Sequence, residues 1–179
     1  SFRRQRQRCI RDSRGTGQLV DEKTLEVSGS DGQITRLSGR HIVLGAGARP
    51  FIPPYPGLDQ VPFHTSDTIM RIDSLPQLMI IFGGGYIAAE LGHVFEAFGC
   101  EETIINRAER LIRREDDDIS VRFTEIVSQR IDVRCGSEVT KVEQVGNGIR
   151  VETQRNEAVE IVEGDMLLVA AGRVPNGDL

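Results

Sequence analysis

The stretch Leu78–Glu90, LMIIFGGGYIAAE, constrains this chain more than any other. Five apolar residues in a row suit a parallel strand buried on both faces. Three consecutive glycines end that run, and a helical pattern starts at once, with Ile87, Leu91, Val94, Phe95 and Phe98 forming one apolar stripe and Gly99 placed as a C-cap. Gly83, Gly85 and Ala88 spell GxGxxA between strand and helix, the context in which that motif holds a dinucleotide pyrophosphate. Gly83 permits the tight turn, Gly85 lets a phosphate approach the backbone, and Ala88 lets helix and strand pack closely. The helix N-terminus then offers free N–H groups to the phosphates.

The surrounding pattern extends this unit. TIIN (Thr103–Asn106) is the next strand, and a second helix starts within REDDDIS, with Ile119, Phe123, Ile126 and Val127 expected on its inner face. The acids Glu115–Asp118 suit the positive end of that helix better than a metal shell. EVTKVEQV, GNG and IRVETQ read as a β-hairpin with AVEIV as a third strand, and DMLLVAAGRVPN as a closing buried strand that ends in a glycine turn. Upstream, TLEV and QITRL flank a Gly/Ser/Asp turn, and His41–Leu44 reads as an apolar strand entering a second glycine turn. Pro50, Pro53, Pro54 and Pro56 read as a stiff linker. The fold class expected is α/β: a Rossmann-like NAD(P)-binding domain with a β-meander over 63–174, preceded by an incomplete domain and linker over 1–62 and followed by a return into that domain over 175–179.

At the end of the second strand an NAD site usually places an acid for the ribose 2′-hydroxyl. Here that position holds Asn106 and Arg107, and Glu101 and Glu102 come too early. The loop beyond carries Arg107, Arg110, Arg113 and Arg114, guanidinium forks suited to a 2′-phosphate. NADPH is therefore favoured over NADH. Glu90, close to the edge of the apolar stripe, is expected to be partly desolvated and to want a cationic partner.

Composition excludes several classes. A net charge of −5 argues against a general nucleic-acid binder, although Arg3, Arg4, Arg6, Arg8, Arg11 and Arg14 make the start locally basic. No apolar run approaches the roughly 18 residues of a membrane span, and no signal-peptide pattern is present, so a cytoplasmic location is the default expectation. Cys9, Cys100 and Cys135 form no CxxC and no zinc spacing, and no metal is expected.

LGAGARP (Leu44–Pro50), GGGYIAAE (Gly83–Glu90) and AAGRVPN (Ala170–Asn176), in this order and spacing, resemble the flavin-dependent pyridine nucleotide–disulfide oxidoreductases, whose members include glutathione, mycothione, mercuric and lipoamide enzymes. HTSDTIMRIDSLP and FGGGYIAAELGHVFEAFG look closest to the mycothione-reducing members. The resemblance implies FAD and NADPH as cofactors, a disulfide as substrate and a homodimer as the full-length enzyme. It implies that Gly83, Gly84, Gly85, Tyr86, Ile87, Glu90 and Gly172 line the nicotinamide nucleotide, with Arg107 and Arg113 at its 2′-phosphate and Tyr86 as an aromatic lid. Glu90 would pair with a lysine near the flavin, in a segment outside this chain. Gly17, Ala46 and Gly47 would meet FAD through their backbones, and Arg173 would approach the flavin. Ala46 replaces the threonine common in that motif. The chain carries no CxxxxC redox pair and starts at Ser1, so it reads as a fragment, without catalytic residues, that does not turn over a disulfide alone. The competing readings are a relative of the lipoamide or mercuric enzymes and a nucleotide-binding module without chemistry.

Overall fold

Alternate side chains of the central apolar strand leave it on opposite faces, and both faces are covered. The computed structural model describes residues 12–177, so Cys9 and the arginines at 3, 4, 6, 8 and 11 lie outside the described residues. Arg14 pairs with Asp12 at 3.5 Å. The chain forms two compact units, one spanning Arg49–Val174 and a smaller one that includes residues 12–48 and 175–177.

In the smaller unit, β1 (Thr16–Asp21), β2 (Thr24–Ser28) and β3 (Ile34–Ser38) form an antiparallel sheet in that order. The strand expected over His41–Leu44 does not form: no strand among the described residues pairs with it, and Val43 is 91% exposed. An apolar run becomes a strand only where neighbours satisfy its backbone groups, and that condition is not visible in the run itself. Two short strands at the unit boundary, β4 (Ala48–Pro50) and β13 (Arg173–Pro175), pair with each other.

The larger unit holds a parallel sheet in the order β5 (His64–Thr65), β12 (Met166–Val169), β6 (Leu78–Phe82), β7 (Glu101–Asn106) and β8 (Asp132–Cys135). Ile80, Phe82, Ile105, Leu167 and Val169 point to one face, where a meander of β9 (Glu138–Val145), β10 (Gly148–Arg155) and β11 (Ala158–Gly164) covers them with Val142, Val151 and Val162. Met79, Ile81, Ile104 and Leu168 point to the other, beneath α1 (Tyr86–Ala97) and α2 (Asp117–Val127). The order β12–β6–β7–β8 places the sheet's last strand in chain order beside its first long one. Among the described residues no helix is long and apolar enough to cross a membrane.

Three expectations change. The larger unit begins at Arg49 rather than 63, because the proline-rich segment packs into it: Leu58 is 1% and Val61 6% exposed, and Tyr55 lies edge-on to Phe82 with ring centroids 5.6 Å apart. Proline stops helix and strand, but it does not stop burial. On α2, Ile119 and Ile126 face solvent, while Ser120 is 1% exposed and Phe123 and Val127 pack inward. β7 starts at Glu101, so Glu102 shares the helix-facing side with Ile104, by the period of two. Glu102 is 7% exposed, and among the described residues neither of its carboxyl oxygens has a hydrogen-bond partner.

Candidate functional site

The glycine turn is closed on two sides and open on the third. Gly83 N–H donates to the Ile105 carbonyl at 2.9 Å and Ala170 N–H to the Phe82 carbonyl at 2.8 Å, so Gly83 is gripped between β7 and β12. Its φ is +121°, and a Cβ there would lie 2.7 Å from the Ala170 carbonyl carbon. At Gly84 a Cβ would stand 2.5 Å from Asn106 Nδ2. Gly85, the N-cap residue of α1, would present its Cβ to open space. Ala88 is fully buried between helix and sheet. Two glycines thus serve the protein's own packing, and the third leaves room above the helix end. No side chain caps α1 and no acid lies in its first turn, whereas α2 has Asp116 at its N-cap and Asp117 and Asp118 in its first turn. The orphan N–H groups at the start of α1 therefore face no protein anion of their own helix.

Asn106, read from sequence only as a missing acid, has a structural task. Buried on the helix side of β7, its Nδ2 donates to the Ala108 carbonyl at 3.0 Å and the Arg110 carbonyl at 2.9 Å. These bonds fold the arginine loop back toward the glycine turn. Ile112 then donates its N–H to the Gly84 carbonyl at 2.6 Å, adopting a φ of +43° to do so. From the other side Ser120 Oγ donates to the Leu111 carbonyl at 2.6 Å, and Leu111 N–H donates to Thr124 Oγ1 at 3.0 Å. Ser120 and Thr124 were not singled out from sequence. A helical spacing that carries small polar residues on the inner face was the available signal. Ser120→Ala should cost about 1 kcal/mol in urea unfolding through this lost bond.

The loop places Arg107 directly after β7 and Arg113 next to the residue that bonds Gly84. Both are exposed and make no ion pair among the described residues, whereas Arg110 is taken by Asp117 at 2.8 Å. Tyr86, the first helical residue of α1, is 64% exposed beside the open face of Gly85, and Ile87 is half-buried on the sheet side. Glu90 does not meet its expectation: it is exposed, because the buried face of α1 runs through Ala88, Gly92 and Phe95. Phe98 also turns outward, edge-on to Phe95 at 6.4 Å.

Gly172 has a φ of +131° with open space where a side chain would begin, and its carbonyl accepts from Phe51 N–H at 2.9 Å. Arg173 is held by Asp67 and Ser66, each at 3.0 Å. In the smaller unit Gly17 sits within β1, opposite Val27. Asn176 Nδ2 donates to the Ala46 carbonyl at 2.9 Å, and Asn176 N–H to the Gly47 carbonyl at 3.0 Å. Those two carbonyls are thus committed within the protein.

Titration marks three buried groups. Burial, reinforced by the negative charge of Glu96, pushes the Glu102 carboxyl up to about 8. Burial, reinforced by Glu102, pushes the Cys100 thiol up to about 11. Cys135, also buried, has its thiol pushed up chiefly by burial. Neither thiol has the lowered pKa of a reactive cysteine. Among the described residues no group of three or more metal-ligating side chains converges.

The pyridine nucleotide-disulphide oxidoreductase family profile matches residues 3–179. Mycothione reductase of Mycobacterium tuberculosis is 42% identical over 143 residues, 80% of this chain and 30% of that protein. Mercuric reductase of Staphylococcus aureus is 34% identical over 164 residues, 91% of this chain and 29% of that protein. The HOCl-induced flavoprotein disulfide reductase RclA of Escherichia coli, in its Cu(II) complex, superposes with a TM-score of 0.77 at 28% identity, covering 91% of this chain and 36% of that one. The chain thus spans about a third of the length of these relatives. By its profile, its relatives and its fold, the chain belongs to the pyridine nucleotide-disulphide oxidoreductase family.

Proposed function

We propose that this chain is the NADPH-binding portion of a flavoprotein disulfide reductase. The observation that carries this reading is the joint geometry of turn and loop. An open glycine face stands at an uncapped helix N-terminus, and a loop bonded to Gly84 brings Arg113 alongside. The pyrophosphate of a dinucleotide fits the first feature, since it needs backbone approach and N–H donors. A 2′-phosphate fits the second, through charge-assisted bonds from Arg107 and Arg113.

The bound nucleotide supplies a hydride for reducing a flavin. What this chain would do is hold and orient it: Gly83–Gly85 and the start of α1 would receive the phosphates, Ile87 and Gly172 would line the nucleotide, and Tyr86 would serve as an aromatic lid. Exposed Glu90, one turn into α1, is available to a cationic partner. In the smaller unit, Gly17, Ala46 and Gly47 would meet FAD through their backbones. The likeness to mycothione reductase supports a low-molecular-weight disulfide such as mycothione as the whole enzyme's substrate. A homodimeric whole enzyme is part of the same proposal.

Calorimetric titration tests the nucleotide reading. NADPH should bind more tightly than NADH, and Arg107→Glu should weaken NADPH by roughly 10- to 100-fold while leaving NADH nearly unchanged. Equal affinity for the two nucleotides in the unaltered chain would sink the 2′-phosphate argument and favour a relative of the lipoamide enzymes.

A further inference from the structure

The end of β7 carries no acid in sequence, but the tertiary structure brings one to it. Ser137 N–H donates to the Asn106 carbonyl at 3.2 Å, and Gly136 N–H donates to the Ala108 carbonyl at 3.0 Å. Arg107 lies between the two acceptor residues, and exposed Glu138 follows directly on the donors as the first residue of β9. A third bond closes the group, from Val142 N–H to the Pro56 carbonyl at 2.8 Å, which keeps the proline segment and Tyr55 beside β9. Tyr55 stands edge-on to Phe82, the residue before the glycine turn. Its hydroxyl is pushed up by burial, drawn down by the charge of Arg107 and pushed up by that of Glu138, so it is within electrostatic reach of both.

We infer that Glu138 is a specificity-determining residue at the ribose 2′ position, set against Arg107. Its carboxylate accepts hydrogen bonds from a 2′-hydroxyl and repels a 2′-phosphate. The role left empty at Asn106 is taken by a residue more than 30 positions away in sequence. The NADPH preference set by Arg107 and Arg113 is thereby narrowed, and NADH also binds. This inference rests on the reading that the glycine turn holds a nicotinamide dinucleotide.

A second carboxylate serves as the control. Glu109, further along the loop, has its oxygens 3.1 and 3.2 Å from where a Cβ on Gly136 would lie. The experiment titrates the whole chain, Glu138→Gln and Glu109→Gln with NADPH and with NADH, reading dissociation constants and checking each fold by circular dichroism. Glu138→Gln should raise the NADPH-to-NADH affinity ratio about tenfold, the effect of removing one like charge at short range in a partly solvated site. Glu109→Gln should leave that ratio within about twofold, in keeping with a screened charge further along the loop. An unchanged ratio in Glu138→Gln, with the unaltered chain still binding NADPH, overturns this inference and leaves the nucleotide reading intact. A shift produced by Glu109→Gln instead overturns the assignment to Glu138. Failure of the unaltered, folded chain to bind either nucleotide overturns both.

Discussion

Gly83→Ala should destabilise the chain by about 3 kcal/mol or more and abolish nucleotide binding. The new Cβ would lie 2.7 Å from the Ala170 carbonyl carbon and 3.1 Å from the Ala171 nitrogen. These are backbone atoms at the end of a central strand, so no rotamer change relieves the clash. The φ of +121° adds a second penalty that any L side chain incurs. Gly172→Ala separates the two effects: its φ of +131° carries the same conformational strain, but nothing lies within 4 Å of its Cβ position. The loss at 172 should therefore be about 1–2 kcal/mol. Urea unfolding followed by far-UV circular dichroism measures both. If Gly83→Ala lost no more than Gly172→Ala, the grip of β7 and β12 on the turn would be wrong.

Stability should fall as pH rises from 5 to 8, and Glu102 should be the main cause. In the folded chain its carboxyl titrates near 8, against 4.5 for the ordinary group. Below 4.5 both states hold the proton and the group has no effect on stability. Between those values only the folded state retains it, so each further pH unit favours unfolding. Above 8 both states are ionised and the loss levels off. After allowance for solvent screening the total is about 2–3 kcal/mol.

The geometry explains why the site cannot adapt. Glu102 faces Gly92 of α1, where a Cβ would already be 3.1 Å from its Oε2 and 3.6 Å from the Cδ1 atoms of Ile104 and Ile131. Glu96, whose charge acts on Glu102, is itself paired with Arg130, whose Nε lies 3.0 Å from Glu96 Oε1. Glu102→Gln should flatten the decline between pH 5 and 8. Glu102→Val should in addition exceed the parent at pH 8, because it replaces an unpartnered polar group with an apolar one in an apolar pocket. A parent chain whose urea midpoint stays constant over this range would refute the assignment.

Much of this protein follows from local pattern. The run Leu78–Phe82, the turn Gly83–Gly85 and the stripe of α1 form a strand, a turn and a helix almost where their periods put them, and the meander appears at its expected hairpins. Such features are set by neighbours within a few residues, through backbone propensity and the side on which each side chain emerges. The family was legible for the same reason, since three glycine motifs in order are a local record. The misreadings also share a cause. His41–Leu44 looked like a strand because it is apolar, and Ile119 and Ile126 looked like core because they are large. Burial depends instead on what another segment presents: the backbone of Leu111 in the arginine loop calls for Ser120 and Thr124, not isoleucine, on the inner side of α2.

The sequence by itself therefore determined the βαβ unit, its glycine turn and the arginines beyond it, because each of these is encoded within one short stretch of chain. Only the tertiary structure decided that Asn106 ties the loop rather than leaving a gap, that Glu102 is buried without a partner, and that Glu138 arrives beside Arg107. Each of those outcomes depends on hydrogen bonds or packing between segments distant in sequence, and periodicity along one strand or helix carries no information about which distant segment will face it.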